Sequence, residues 1–137
     1  MRIDPYLNFD GQCAEAFGVY QRVLGGKIEA MMTHGASPMA GEVPAQWRDR
    51  ILHARLVVGD RVILGSDTPP ESYVKPQGLF VSITVKTPAE ADRVFAALAD
   101  RGTVVMPIAK TFWSNRFGML VDRFGTPWMV NCEQAPD

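Results

Sequence analysis

Hydrophobic and polar residues alternate along several short stretches of the chain, and this pattern predicts strands. The alternation is plainest from Leu79 to Val85, where Phe80, Ser82 and Thr84 separate the aliphatic side chains. A period of two is typical of a strand whose two faces meet different surroundings. We therefore expect a sheet with one face packed against other elements and the other face uncovered.

Two segments have the helical spacing of apolar residues instead, and their sequences are related. Ala14-Glu15-Ala16 recurs as Ala89-Glu90-Ala91, so the two copies lie 75 positions apart (89 − 14). Apolar residues follow both copies at intervals of three or four, as on the buried face of a helix. A repeat of this length indicates a duplicated structural unit.

Capping signals mark the ends of the predicted helices. Thr87 is placed to cap the second helix, with Pro88 at its first position and Glu90 completing a capping box. Glycines follow both helices, at Gly25-Gly26 and at Gly102. We expect these glycines to adopt the left-handed conformation that commonly ends a helix.

One strand precedes each helix and three follow it, which gives two modules with the order βαβββ. The strands are predicted at Ile3 to Phe9, 27–33, 51–58 and 61–66, and then at Leu79 to Val85, 103–108, 116–121 and 126–132. Module 1 covers residues 1–67, a proline-containing connector residues 68–77, and module 2 residues 78–133, within one domain of residues 1–137. The predicted class is α+β, with both modules forming a cupped mixed sheet.

The strand at 51–58 indicates which side chains lie on the uncovered face. The row assigned to the helix side is Leu52, Ala54, Leu56 and Val58. His53 and Arg55 then lie together on the opposite face. A histidine beside an arginine on a concave surface is a natural start for a ligand-binding site.

Composition excludes several classes of function. The chain has 14 basic and 15 acidic residues and no basic stripe, so we expect no nucleic-acid partner. Apolar runs are too short to span a bilayer, and Met1-Arg2-Ile3 leads directly into a strand without a signal peptide. Cys13 and Cys132 have neither zinc-site nor CxxC spacing. These features predict a cytoplasmic protein.

Several motifs resemble the PhnB-like branch of the glyoxalase/bleomycin-resistance/dioxygenase superfamily, which has the vicinal oxygen chelate fold. They are Tyr6-Leu7-Asn8-Phe9-Asp10-Gly11, His53-Ala54-Arg55-Leu56, Gly65-Ser66-Asp67, Thr111-Phe112-Trp113-Ser114-Asn115-Arg116-Phe117-Gly118, Asp122-Arg123-Phe124-Gly125 and Trp128-Met129-Val130-Asn131. The resemblance covers nearly the whole chain. It implies paired βαβββ modules, a homodimer and a small-molecule pocket in the cup of the sheet. It does not imply one reaction, because the superfamily includes lyases, isomerases, dioxygenases and non-catalytic drug-sequestering proteins.

The resemblance also implies where a metal would bind. Metal-using members have His or Glu ligands at four positions, which correspond here to Asp4, His53, Phe80 and Met129. Asp4 and His53 can bind a divalent ion, whereas Phe80 cannot and Met129 suits a hard metal poorly. Because a catalytic centre normally has three protein ligands, we expect no cofactor and no metal centre of the usual kind.

The leading hypothesis is a homodimeric small-molecule-binding protein with Arg55 contacting an anionic or carbonyl-bearing ligand. Its pocket is lined by Tyr6, His53, Arg55, Phe80, Trp113, Met129 and Asn131. The alternative is an enzyme, either a metal-dependent lyase or dioxygenase or a metal-free acid/base catalyst that uses His53. A third hypothesis is a structural or interaction module.

Three further features leave alternatives open at the level of sequence. Cys13, near a helix N-terminus, is either an activated thiolate or a small buried residue. Phe112 and Trp113 are predicted to enter a strand, and they belong either to the core or to a pocket wall or dimer seam. Members of this family are sometimes called ubiquinone-methyltransferase-like, but no glycine-rich strand-to-helix turn for S-adenosylmethionine is present in the sequence.

Overall fold

The computed structural model describes residues 1–134 and divides the chain into two compact units. The first unit is Met1–Val74, and the second begins at Lys75. Within the described residues each unit has the predicted order βαβββ, so the α+β class is confirmed. No helix in residues 1–134 has the length and hydropathy needed to cross a membrane.

The first unit contains a four-stranded mixed sheet and one helix. Its elements β1, α1, β2, β3 and β4 are Tyr6–Phe9, Cys13–Leu24, Lys27–Thr33, Ile51–Val58 and Arg61–Asp67. The strand order is β1-β4-β3-β2, with β1 parallel to β4 and the other neighbours antiparallel. The long loop between β2 and β3 contains three short 3₁₀ turns, at His34–Ala36, Ala40–Glu42 and Ala45–Trp47.

The second unit has the same topology. Its elements β5, α2, β6, β7 and β8 are Val81–Val85, Pro88–Ala99, Thr103–Ala109, Phe117–Val121 and Pro127–Cys132. The strand order is β5-β8-β7-β6, again with the first strand parallel to the last and the remaining pairs antiparallel. The internal repeat of the sequence therefore corresponds to a repeated topology.

Two of the predicted helix ends are confirmed. The hydroxyl oxygen of Thr87 accepts a hydrogen bond from the backbone N–H of Glu90 at 3.2 Å, and Pro88 is the first helical residue. At the end of α1, Gly25 has a φ of 76° and its N–H donates to the carbonyl of Gln21. Local side-chain chemistry was sufficient to predict both ends.

The left-handed residue after α2 is Arg101, with a φ of 58°, so the prediction for Gly102 is wrong. Gly102 is required for a different reason. A Cβ atom at this position would overlap the carbonyl oxygen of Val121 on β7. Gly26 has the same role in the first unit, where a Cβ would overlap the carbonyl of Val57 on β3. Both glycines allow the chain leaving a helix to pass close to a strand.

Helix α1 covers one face of the first sheet. Ala54 and Leu56 are completely buried, and Ala54 pairs with Gly65 on β4. The ring of Phe17 lies so close to Gly65 that a Cβ there would approach the ring to 2.7 Å. Leu52, predicted for the same row, is 37% exposed because the β2–β3 register shifts beside it. The row of β3 residues buried under α1 is therefore shorter than the alternation predicted.

Helix α2 covers the corresponding face of the second sheet. Trp128 and Val130 on β8 are completely buried. Val130 pairs with Gly118, which lies against the ring of Phe95 on α2. The indole Nε1 of Trp128 donates a 2.8 Å hydrogen bond to the carboxylate of Asp122. Trp128 thus faces the helix, as predicted.

The first strand of each unit is shorter than predicted. Strand β1 begins at Tyr6, so Asp4 precedes it; Pro5 has no N–H to donate to the sheet. Strand β5 begins at Val81, so Phe80 precedes it. The pairing of β5 with β8 begins at Val81 and Trp128. The residue before Trp128 on β8 is Pro127, which also has no N–H to donate to the sheet. A proline thus accompanies the loss of regular pairing in both units.

Candidate ligand-binding faces

The uncovered face of the first sheet brings Tyr6 and His53 together. Their ring centroids are 6.1 Å apart and their planes are inclined by 31°. His53 and Arg55 alternate with the buried Ala54 on β3, so both lie on the face opposite α1, as predicted. Arg55 pairs with Leu64, which in turn pairs with Tyr6. The three predicted site residues of this unit therefore share one face.

Arg55 is held by a carboxylate that the sequence did not point to. Its Nε donates to Oε1 of Glu29 at 3.0 Å. Glu29 lies in a β-bulge of β2, between the paired residues Ile28 and Ala30. A bulge redirects a side chain relative to the regular alternation, which is why the sequence pattern did not reveal this ion pair. The pair orients the guanidinium and neutralises part of its charge.

Cys13 is not an activated nucleophile. It is the first residue of α1 and is completely buried. Burial, together with the nearby carboxylate of Asp67, raises the pKa of the Cys13 thiol to about 12. The thiolate fraction at neutral pH is therefore negligible, and the small buried residue is the correct alternative.

The uncovered face of the second sheet has a mixed polar and aromatic row. Asn131 on β8 pairs with Thr84 on one side and with Phe117 on the other. All three alternate with residues of the helix-covered face. The side-chain oxygen Oδ1 of Asn131 is buried and has no hydrogen-bond partner among residues 1–134. An unpartnered buried acceptor is uncommon and requires an explanation.

A row of methionines lies beside the Asn131 row. Met129 on β8 pairs with Met119 on β7, and Met119 pairs with Met106 on β6. Ser82 on β5 completes the row on the other side of Met129. Sequence reasoning found Met129 but missed Met106 and Met119. Phe117 and Met119 alternate with Gly118 in the sequence, and this alternation could have placed Met119 on the uncovered face.

The segment between β6 and β7 is a turn and not the start of a strand. Thr111 and Ser114 close it, with the N–H of Thr111 donating to the carbonyl of Ser114 at 2.9 Å. Phe112 is 91% exposed, so it does not belong to the core. Trp113 is half-exposed, and its ring lies 5.2 Å from the ring of Phe117. Trp113 therefore stands beside the uncovered face of the second sheet.

The resemblance assigns metal ligands to four positions, and the residues at these positions do not fit a divalent ion. Asp4 forms an ion pair with Arg2, at 3.1 Å between Oδ2 and Nη2. Phe80 has no ligand atom, and Met129 offers only a thioether. Within residues 1–134 no group of three or more His, Cys, Asp or Glu side chains is arranged to hold a metal ion. A catalytic metal centre normally has three protein ligands, and these four positions supply at most two, Asp4 and His53.

The predicted site residues thus fall into two sets that are each assembled within one unit. Tyr6, His53 and Arg55 lie on the open face of the first sheet. Met129 and Asn131 lie on the open face of the second sheet, with Trp113 beside it. Phe80 and Asp4 precede the strands on which they were expected.

Comparison with known proteins identifies relatives of the whole chain. The model of the 3-demethylubiquinone-9 3-methyltransferase family matches residues 1–131. Protein PA1353 from Pseudomonas aeruginosa, whose crystal structure is known, is 50% identical to this chain. The match covers 98% of both chains with a TM-score of 0.90.

Two more distant structures show the same fold. One is described as a putative 3-demethylubiquinone-9 3-methyltransferase, PhnB protein, from Bacillus cereus; it is 22% identical, with a TM-score of 0.81 over 96% of this chain and 99% of that one. The other is the fosfomycin resistance protein FosX from Listeria monocytogenes, 7% identical, with a TM-score of 0.67 over 98% and 94% of the two chains. At these identities the likeness concerns the fold alone. The chain belongs to the 3-demethylubiquinone-9 3-methyltransferase family, and it shares its fold with the PhnB and FosX structures, as the resemblance to PhnB-like proteins implied.

Proposed function

We propose that this protein is a cytoplasmic homodimer that binds a small organic molecule on the uncovered faces of its sheets, without a metal ion. The observation that carries the proposal is the grouping of Tyr6, His53 and Arg55 on one sheet face. The rings of Tyr6 and His53 provide apolar contact area, and the guanidinium of Arg55 provides hydrogen-bond donors beside them. Binding sites for small molecules combine these two features.

The ion pair between Arg55 and Glu29 defines what the first face can recognise. Glu29 contacts the Nε of Arg55, and the Nη atoms of the guanidinium are suited to donate to an anionic or carbonyl group of the ligand. Because the pair is partly exposed, the attraction is screened and a ligand carboxylate can compete with Glu29. A small carboxylate or phosphonate is the ligand type that this face favours.

Exposed apolar side chains support the homodimer. Leu79 is 56% exposed, Val105 52% and Phe112 91% in the single chain. Exposed apolar side chains are commonly covered in an assembly where they form one contiguous patch, and we propose that these three belong to such a patch. The fold is also one whose members often form dimers. Light scattering after size exclusion should give a mass of about twice the 15.1 kDa of one chain.

A metal-free acid/base enzyme is the second candidate, and the position of His53 favours it. His53 is half-buried on β3, and its ring lies next to that of Tyr6. An imidazole can accept or donate a proton near neutral pH, and a neighbouring phenol can supply a second exchangeable proton. Both candidates use the same face, and they differ in whether the bound molecule is converted.

A thermal-shift screen of the full-length protein tests the binding proposal. The panel contains small carboxylates, phosphonates and aromatic compounds, and hits are measured by calorimetry. Arg55→Ala should weaken an anionic hit at least tenfold, whereas Glu29→Gln should strengthen it a few-fold by removing the competing carboxylate. Arg61→Ala is the matched control, because Arg61 is 88% exposed at the β3–β4 hairpin.

The outcomes separate the candidates. An anionic hit that is unaffected by Arg55→Ala would refute the assignment of the first face, and a panel without any hit would refute small-molecule binding. Incubation of each hit with the protein, followed by mass spectrometry, detects conversion. Conversion that disappears in His53→Gln while binding remains would establish the enzyme instead.

A further inference from the structure

The uncovered face of the second sheet contains an acceptor without a donor. Oδ1 of Asn131 is buried and unpartnered, although Asn131 lies in a regular strand between Thr84 and Phe117. A carbonyl oxygen removed from water without a hydrogen bond is unfavourable. A ligand that carries an N–H or O–H group would satisfy it, so the unpartnered oxygen points to a donor on the bound molecule.

The surface next to Asn131 is suited to an aromatic ring. Met129, Met119 and Met106 form a row across three strands, one step along the sheet from Asn131. Thioether sulfur atoms contact the edges and faces of aromatic rings favourably, and the flexible methionine side chain adapts to their shape. The methionine row is therefore an apolar surface on which a flat aromatic ring can pack.

Trp113 provides an aromatic side chain next to this apolar surface. Its ring contacts Phe117 at 5.2 Å between centroids, in an edge-to-face arrangement, and it remains half-exposed. Phe117 is the direct neighbour of Asn131 on β7. The indole, the methionines and the amide oxygen thus lie around one patch of the second sheet.

The patch is uncharged. Its two rows contain Thr84, Asn131, Phe117, Ser82, Met129, Met119 and Met106. No side chain among them is ionisable, so the part of a ligand that lies here gains nothing from a formal charge. This distinguishes the second face from the first, where Arg55 and Glu29 lie.

We propose that the open face of β5-β8-β7-β6 binds a neutral aromatic ring that carries one hydroxyl or N–H donor. The ring lies on the methionine row beside Trp113, and its donor hydrogen-bonds to Oδ1 of Asn131. This assignment rests on the proposed function, because it names the class of molecule that one of the two faces accepts. It adds a specific requirement, a single donor on an aromatic ring.

Three matched probes test the requirement with the full-length protein. They are 2-naphthol, which has the donor, 2-methoxynaphthalene, which has only an acceptor, and naphthalene, which has neither. Binding is followed by NMR on protein with ¹³C-labelled methionine methyl groups. We expect 2-naphthol to bind about tenfold more tightly than the other two and to shift the methyl signals of Met106, Met119 and Met129.

Two variants of Asn131 complete the test. Asn131→Leu removes the acceptor at similar size and should abolish the preference for 2-naphthol while leaving naphthalene binding in place. Asn131→Gln keeps a neutral amide oxygen and should retain the preference at least in part. If Asn131→Leu does not fold, comparing the three probes on the unsubstituted protein and on Asn131→Gln still tests the proposal.

The failures of this proposal and of the general one are distinguishable. If carboxylates or phosphonates bind but 2-naphthol does not, or if 2-naphthol shows no preference over 2-methoxynaphthalene, the aromatic-donor proposal is overturned and small-molecule binding stands. Binding of 2-naphthol that leaves the signals of Met106, Met119 and Met129 unchanged also overturns it. If nothing in either panel binds, both proposals fail.

Discussion

The carboxylate of Asp67 accepts a hydrogen bond from the backbone N–H of Cys13 at 3.0 Å, although the two residues are 54 positions apart. Its other oxygen accepts a 2.8 Å hydrogen bond from the N–H of Ile51. One buried side chain at the end of β4 therefore connects the first residue of α1 with the first residue of β3. In the second unit, Thr87 at the start of α2 performs the capping locally.

Asp67→Ala should lower the free energy of unfolding by about 3 kcal/mol or more, because two buried N–H groups lose a charged acceptor. Asp67→Asn keeps one acceptor oxygen and should cost about half as much. Urea unfolding measures both effects. Asp60→Ala, at the exposed β3–β4 hairpin, is the matched control and should change the stability by less than about 0.5 kcal/mol. Equal effects at positions 60 and 67 would contradict the role of Asp67.

Cys13 should make the stability fall at high pH. Its pKa rises from 9.0 to about 12 in the folded protein, so the folded state keeps the proton while the unfolded chain loses it. The contribution of this difference is complete below pH 9 and is lost as the pH rises towards 12. Between these limits the free energy of unfolding should decrease by up to about 1.4 kcal/mol per pH unit relative to Cys13→Ala. Parallel pH profiles of the two proteins would disprove this.

Asn131→Leu should increase the free energy of unfolding by about 1 kcal/mol. The substitution removes a buried oxygen that lacks a partner and replaces it with an apolar side chain of similar size. Residues that bind a ligand are often unfavourable for stability in this way. Thermal or urea unfolding without ligand measures the change. A variant less stable than the unsubstituted protein would show that the amide is already satisfied.

Arg101 and Gly102, which follow α2 and its C-cap Asp100, should respond to substitution in opposite directions. Arg101→Gly should stabilise the protein by roughly 0.5–1 kcal/mol, since Arg101 has a positive φ that glycine adopts without strain. Gly102→Ala should destabilise it by about 1–3 kcal/mol, because the new methyl group overlaps the carbonyl of Val121. Gly41→Ala, in open space and without a positive φ, is the control for the substitution itself. Tolerance of alanine at position 102 would contradict the close approach.

The purified protein should contain no stoichiometric Fe, Mn, Ni or Zn. The four positions to which the resemblance assigns metal ligands hold Asp4, His53, Phe80 and Met129, of which only two have suitable ligand atoms. Elemental analysis and the melting temperature with and without a chelator measure this. A metal at one equivalent per chain that is lost in His53→Ala would overturn the prediction.

The faces of the strands could be predicted because they follow from the alternation of side chains alone. His53 and Arg55 were correctly placed opposite α1, and Met129 and Asn131 opposite α2. The strand ends were harder to predict, since pairing also depends on the partner strand. Pro5 and Pro127 show the effect. Each lacks an N–H, and regular parallel pairing begins at the residue that follows it, Tyr6 on β1 and Trp128 on β8. Phe112 and Trp113 were predicted to enter a strand, and this was wrong for a related reason. The turn closed by Thr111 and Ser114 contains both residues, and β7 begins only at Phe117.

By itself, the sequence determined the duplicated βαβββ order, the cap at Thr87 and the sheet face of His53, because periodicity and capping act between residues close together in the chain. Only the tertiary structure decided which distant residues meet. The pairing of Arg55 with Glu29, the high pKa of Cys13, the methionine row and the unpartnered oxygen of Asn131 all depend on strand register and burial. These are properties of neighbours in space, and no local pattern of residues records them.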